Sequence, residues 1–88
     1  MPIISSFYGI LIKMYFGDHQ PPHFHAEYAE FSAQISIKEL SILEGYLPSK
    51  ALALIVEWAN IHQEDLMKHW KSLSEEEMGL FKKIEPLE

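Results

Sequence analysis

Between residues 23 and 37 the chain alternates apolar and polar side chains, and the alternation is mirrored about Ala29 and Glu30. A period of two marks a strand whose two faces see different surroundings, and two such runs separated by two residues make a hairpin. Matching the faces fixes the register: Tyr28 faces Phe31, Ala26 faces Ala33 and Phe24 faces Ile35, while Glu27, His25 and His23 face Ser32, Gln34 and Ser36. The weak element is the turn, because Ala29-Glu30 lacks the glycine or asparagine that tight hairpin turns favour.

The neighbouring segments are read outward from this hairpin. Upstream, Tyr8, Ile10, Ile12, Met14 and Phe16 recur at spacing two and predict one strand, broken by Gly17-Asp18. Pro21-Pro22 then enforces an extended entry into the hairpin, since a residue preceding proline avoids the helical region. Downstream, Lys38-Glu39-Leu40 predicts a turn, and Ser41 to Leu47 a fourth strand interrupted by Gly45. From Pro48 the period becomes helical: Leu52, Ile55, Ala59, His62, Leu66, Trp70 and Leu73 share one stripe and predict a single long helix over 48–73. Ser74-Glu75-Glu76-Glu77 reads as a capping box opening a short helix that Gly79 ends. The expected fold is α+β: a small antiparallel sheet of three to four strands, in the order β-β-β-β-α, with one long helix on its apolar face and a single domain over residues 1–88.

A chain of 88 residues builds one modest core, which a homodimer would enlarge. With no cysteine, disulfides and thiolate zinc sites are excluded. The first residues lack the basic flank and apolar stretch of a secretory signal, and no apolar run reaches the ~20 residues of a membrane span, so a cytoplasmic location is expected. Thirteen acidic residues against seven lysines, with no arginine and a net charge of −6, make direct binding to nucleic acid unfavourable.

Chemistry concentrates in Asp18-His19-Gln20-Pro21-Pro22-His23-Phe24-His25, which holds three of the five histidines. Alternation places His23, His25 and Glu27 on one strand face, with neighbours ~7 Å apart, and His19 or Asp18 could complete a nitrogen and oxygen shell for zinc or manganese. The same residues equally suit a solvated polar face whose imidazoles donate to backbone carbonyls. His62, on the apolar stripe, requires a partner in the interior, and Trp58 reads as core. Asp65 and His69 form an i,i+4 pair on the helix surface. There is no nucleophile elbow, phosphate-cradling loop or HExxH motif, so no catalytic residue is assigned.

The segments Phe7-Tyr8-Gly9-Ile10, Met14-Tyr15-Phe16, Asp18-His19, Pro21-Pro22-His23-Phe24-His25-Ala26, Leu43-Glu44-Gly45, Leu47-Pro48 and Glu57-Trp58-Ala59 with His62 together resemble the small prokaryotic family called domain of unknown function 4160. Members of that family usually carry glycine where this chain has Ala29. The resemblance implies a bacterial protein encoded beside a second small protein, an arrangement like that of toxin and antitoxin pairs. It therefore favours a small protein partner over a small-molecule substrate.

Two functional expectations follow. The first is an interaction component of a two-protein module that uses a histidine-rich surface. The second is a metal-binding protein or metal-dependent hydrolase or nuclease, in which His19, His23 and His25 hold the ion and Asp18 or Glu27 positions water. The missing arginine argues against a nuclease.

Overall fold

A computed structural model describes residues 3–15, 21–74 and 86, with side chains described as far as residue 71 and at residue 86. Five strands form one antiparallel sheet in sequence order: β1 (Ile3–Phe7), β2 (Ile10–Lys13), β3 (His23–Tyr28), β4 (Phe31–Ser36) and β5 (Ile42–Tyr46). Two helices follow, α1 (Ser49–Ile61) and α2 (Gln63–Ser74). Among the described residues, no helix is long and apolar enough to cross a membrane.

The central hairpin has the register that its alternation dictates, from His23 opposite Ser36 to Tyr28 opposite Phe31. Ala29 adopts φ +53°, the left-handed conformation of a tight turn. An L-residue held there costs about 1–2 kcal/mol, which is the physical reason such turns favour glycine.

The expected strand through Tyr8 is corrected to a hairpin. Tyr8 (φ +49°) and Gly9 (φ +79°) make a two-residue turn, and Phe7 pairs with Ile10. Ile10, Ile12 and Met14 are buried as their spacing requires, but Tyr8 is an exposed turn residue. The strand absent from the expectation is β1, whose Ile-Ile-Ser-Ser-Phe run does not alternate. A bulge between Ile3 and Ser5 lets consecutive Ile4 and Ser5 both be buried, which erases the period of two.

The single long helix is corrected to two. At ~1.5 Å per residue, a straight helix over 48–73 would run ~39 Å and overshoot a molecule whose principal extents are 34 × 25 × 22 Å. The axis breaks at His62 (φ −110°, ψ 22°), although the His62 N–H still donates to Trp58 and the Leu66 N–H to the His62 carbonyl. Gln63 fixes the new direction by donating from Nε2 to the carbonyls of Ile37 (2.6 Å) and Lys38 (3.1 Å).

The core lies on the sheet face of Phe24, Ala26, Ala33 and Ile35. Helix α1 covers it with Ala51, Ile55, Trp58 and Ala59. Trp58 is fully buried between Phe7 and Phe24, at ring separations of 5.5 and 5.9 Å. Such aromatic pairs contribute ~0.5–1.5 kcal/mol beyond the area they bury. Leu66 and Trp70 extend this core from α2, which the break at His62 turns back toward the sheet. The short helix expected from Ser74 lies, beyond its first residue, outside the described residues.

Candidate functional site

The opposite sheet face is polar, and cross-strand pairing arranges its side chains in transverse rows. Lys13, His25, Gln34 and Glu44 form one row across β2 to β5, while Leu11, Glu27, Ser32 and Tyr46 form the next. Paired residues on one face hold their Cβ atoms ~4.5–5.5 Å apart, so each row is a continuous strip of interacting groups. A third row, His23 opposite Ser36, closes the face at the start of β3.

Exposure is graded along this face. His23 and Ser36 are buried, His25, Glu27 and Gln34 are half-buried, and Ser32, Glu44 and Tyr46 are exposed. The expectation of a solvated face at His23 is therefore corrected: its ring is fully buried, 5.2 Å from the Trp70 ring of α2. The burial comes from α2, whose Trp70 packs over the start of β3.

His23 lies 2.7 Å through Nδ1 from the Pro21 carbonyl. A carbonyl only accepts, so Nδ1 carries the proton and donates it. The two prolines hold that carbonyl in place ahead of β3, which connects the local stiffness of the segment to the imidazole's orientation. The His25 ring is 5.1 Å from His23 and meets Tyr15 edge-on at 4.5 Å. Tyr15, His25, His23 and Trp70 are thus a chain of four rings running from β2 to α2.

Glu27 takes a different partner. Its Oε2 is 3.0 Å from Nζ of Lys13, a residue only 8% exposed. A cation so far withdrawn from water needs its counter-charge, and this fixes Glu27 toward β2 rather than toward the imidazoles. The structure thus brings His23 and His25 together and ties Glu27 to Lys13, while Asp18 and His19 lie outside the described residues. Among the described residues, no group of three or more His, Cys, Asp or Glu could hold a metal ion.

His62 belongs to the other side of the molecule. Its ring packs 5.4 Å from Trp58, and its Nδ1 is 3.7 Å from Asp65 Oδ2. His69 has its pKa lowered by burial, an effect opposed by the nearby Asp65 carboxylate.

The rows leave a cleft of about 150 Å³ toward β5, lined by His25, Glu27, Ser32, Gln34, Glu44 and Gly45. It is polar and open, and brings the Ser32 hydroxyl, the Gln34 amide, the His25 imidazole and the carboxylates of Glu27 and Glu44 to one cleft. Lys13, Tyr15, Glu44 and Trp70 take part in this face without a sequence signal for it. Their proximity depends on the β2 to β3 and β4 to β5 registers and on the bend at His62.

A family model described as Domain of unknown function (DUF4160) matches residues 9–71, from the Gly9 turn to the last turn of α2. No curated protein and no solved structure matches the chain.

Proposed function

The chain belongs to the domain of unknown function (DUF4160) family, a description that carries no activity, and we propose that it is the interaction component of a two-protein module. It binds a small protein partner through the polar sheet face and its β5 margin. One observation carries this reading: the face changes from a buried, structurally committed end at His23 to an exposed end at Glu44 and Tyr46 beside an open polar cleft. The histidines stiffen the floor of the face, while recognition occurs at the exposed end. In the toxin and antitoxin arrangement that the family resemblance implies, this partner is the product of the adjacent gene. Affinity capture of the untagged protein from its native host, with the mass of the complex measured in solution, tests the proposal. A stoichiometric protein partner is expected, and recovery of the chain alone or as a homodimer would count decisively against it.

A second reading has its own support. The His23 and His25 rings lie 5.1 Å apart, and an Nδ1–H donated to a carbonyl is the arrangement that fixes a ligating imidazole in many metal sites. Zinc or manganese held by His23 and His25, with His19 and Asp18 supplied by the preceding loop, would make the chain a metal-binding protein or metal-dependent hydrolase. Elemental analysis and zinc titration of the purified protein, repeated on His25→Ala, decide it. Metal uptake that His25→Ala leaves unchanged would refute the reading.

A further inference from the structure

We propose that β5 is a docking edge that takes an extended, lysine- or arginine-bearing segment of a partner protein as a sixth strand. The inference rests on the interaction reading above and names the chemistry of the partner.

The strand order leaves two edges, β1 and β5. In β1, Ile4, Ser5 and Phe7 are buried and a bulge distorts the ladder. In β5, the four residues from Leu43 to Tyr46 are exposed, with Leu43 at 43% and Tyr46 at 62%. Among the described residues, β5 pairs with β4 alone, and with four of its five residues exposed its other side is the margin at which a further strand could add. Natural edges are usually guarded by lysine, proline or a bulge. Residues 42–46 contain neither lysine nor proline, and the edge is guarded by the irregularity opposite Gln34 and Ile35, by the positive φ of Gly45 and by the acidic Glu44 alone, which repels acidic strands and admits basic ones. Such an edge is fit for strand addition, in which main-chain hydrogen bonds supply affinity and alternate side chains supply specificity.

Charge selects the occupant. Glu44 stands exposed at the mouth of the cleft, where the other carboxylate, Glu27, is already paired with Lys13, and the chain carries a net charge of −6. An outward-pointing side chain of an added strand would lie beside Glu44, where an ammonium or guanidinium is favoured and a carboxylate is repelled. A second copy pairing through its own β5 would bring another Glu44 to that edge, so charge disfavours self-association. Leu43 and Tyr46 provide apolar contact along the same margin. The occupant is therefore a basic segment with alternating apolar residues, drawn from a different protein.

The test titrates isotope-labelled full-length protein with the peptide acetyl-Lys-Val-Lys-Val-Lys-Val-amide and with its glutamate counterpart, following backbone amide resonances. The lysine peptide is expected to shift the amides of Ile42 to Tyr46 and their β4 partners, and the glutamate peptide to leave them in place. Glu44→Lys, at an exposed side chain that should not disturb folding, should weaken the lysine peptide by about tenfold or more. Leu43→Pro should remove binding while circular dichroism shows the fold retained. Absence of shifts at ~1 mM peptide, equal response to both peptides, or undiminished binding by Glu44→Lys overturns the proposal. So does a concentration-dependent homodimer that Leu43→Pro dissolves. A captured native partner that binds wild type and Glu44→Lys equally would sink the edge assignment while leaving the interaction reading intact. Failure to capture any partner, with peptide binding at β5 preserved, would do the reverse.

Discussion

Replacing Gly45 by alanine should damage this domain far more than the same change at Gly9, although both glycines have positive φ. At Gly9 (φ +79°) an added Cβ would meet only the Tyr28 ring, 3.7 Å away, which is ordinary contact. The left-handed conformation costs an alanine about 1–2 kcal/mol, and the stiffer unfolded chain returns roughly 0.4–1 kcal/mol, so the net loss is about 0–1.5 kcal/mol. At Gly45 (φ +95°) the Cβ would collide with the Ser32 carbonyl oxygen and lie 2.8 Å from Ala33 Cα. Both obstacles are backbone and cannot rotate aside, so an overpacking penalty of ~1–3 kcal/mol adds to the ~1–3 kcal/mol of a disfavoured conformation. Together the two penalties come to about 2–6 kcal/mol. For a domain of this size each kcal/mol shifts Tm by roughly 4–8 °C, which places the two variants well apart. Thermal and urea unfolding followed by circular dichroism measure the difference, and hydrogen exchange at Ile42 and Leu43 should show β5 loosening first. If Gly45→Ala unfolds at the same temperature as Gly9→Ala, the close approach of β5 to β4 is not what this glycine serves, and the reasoning fails.

Ala29→Gly should stabilise the domain by up to about 1.5 kcal/mol, the left-handed strain relieved less the extra entropy of the unfolded chain, and a lower urea midpoint would contradict it. Glu27→Gln removes the counter-charge of the 8% exposed Lys13, while Glu27 itself is more open to solvent; a loss of about 1–2 kcal/mol is expected, with much of it recovered in the Glu27→Gln, Lys13→Met double variant. Burial, opposed by Asp65, lowers the His69 pKa in the folded state, so the unfolded chain binds the proton more readily. The contribution of His69 is therefore complete above its unfolded value near 6.5 and is lost as pH falls from there toward the lower folded value. His69→Gln should flatten the stability profile in that window, and an unchanged slope between wild type and variant would refute the assignment.

The hairpin of β3 and β4 was legible because its information is local: matching Phe24, Ala26 and Tyr28 with Ile35, Ala33 and Phe31 leaves one register that keeps every apolar side chain on one face. The α+β class and the burial of Ile55, Ala59, Leu66 and Trp70 follow from periodicity in the same way, and turn residues mark the break after β4 and the strand expected over 41–47, which the structure places at 42–46. Strand β1 was hidden, since its bulge buries two consecutive residues and breaks the alternation that reveals a strand. The division of the helix was equally silent, because the apolar stripe from Leu52 to Trp70 runs through His62 without a proline or glycine. At that break the structure shows a distant anchor, Gln63 on the carbonyls of Ile37 and Lys38, which no local pattern announces.

That bend also decides the candidate site. The sequence alone placed His23, His25 and Glu27 on one face, which is a consequence of the two-residue period. It could not reveal that Trp70 buries His23, that Lys13 claims Glu27, or that Glu44 joins His25 and Gln34 in one row. Those pairings join residues separated by loops and a kinked helix, and only the closed tertiary structure brings such distant segments into contact.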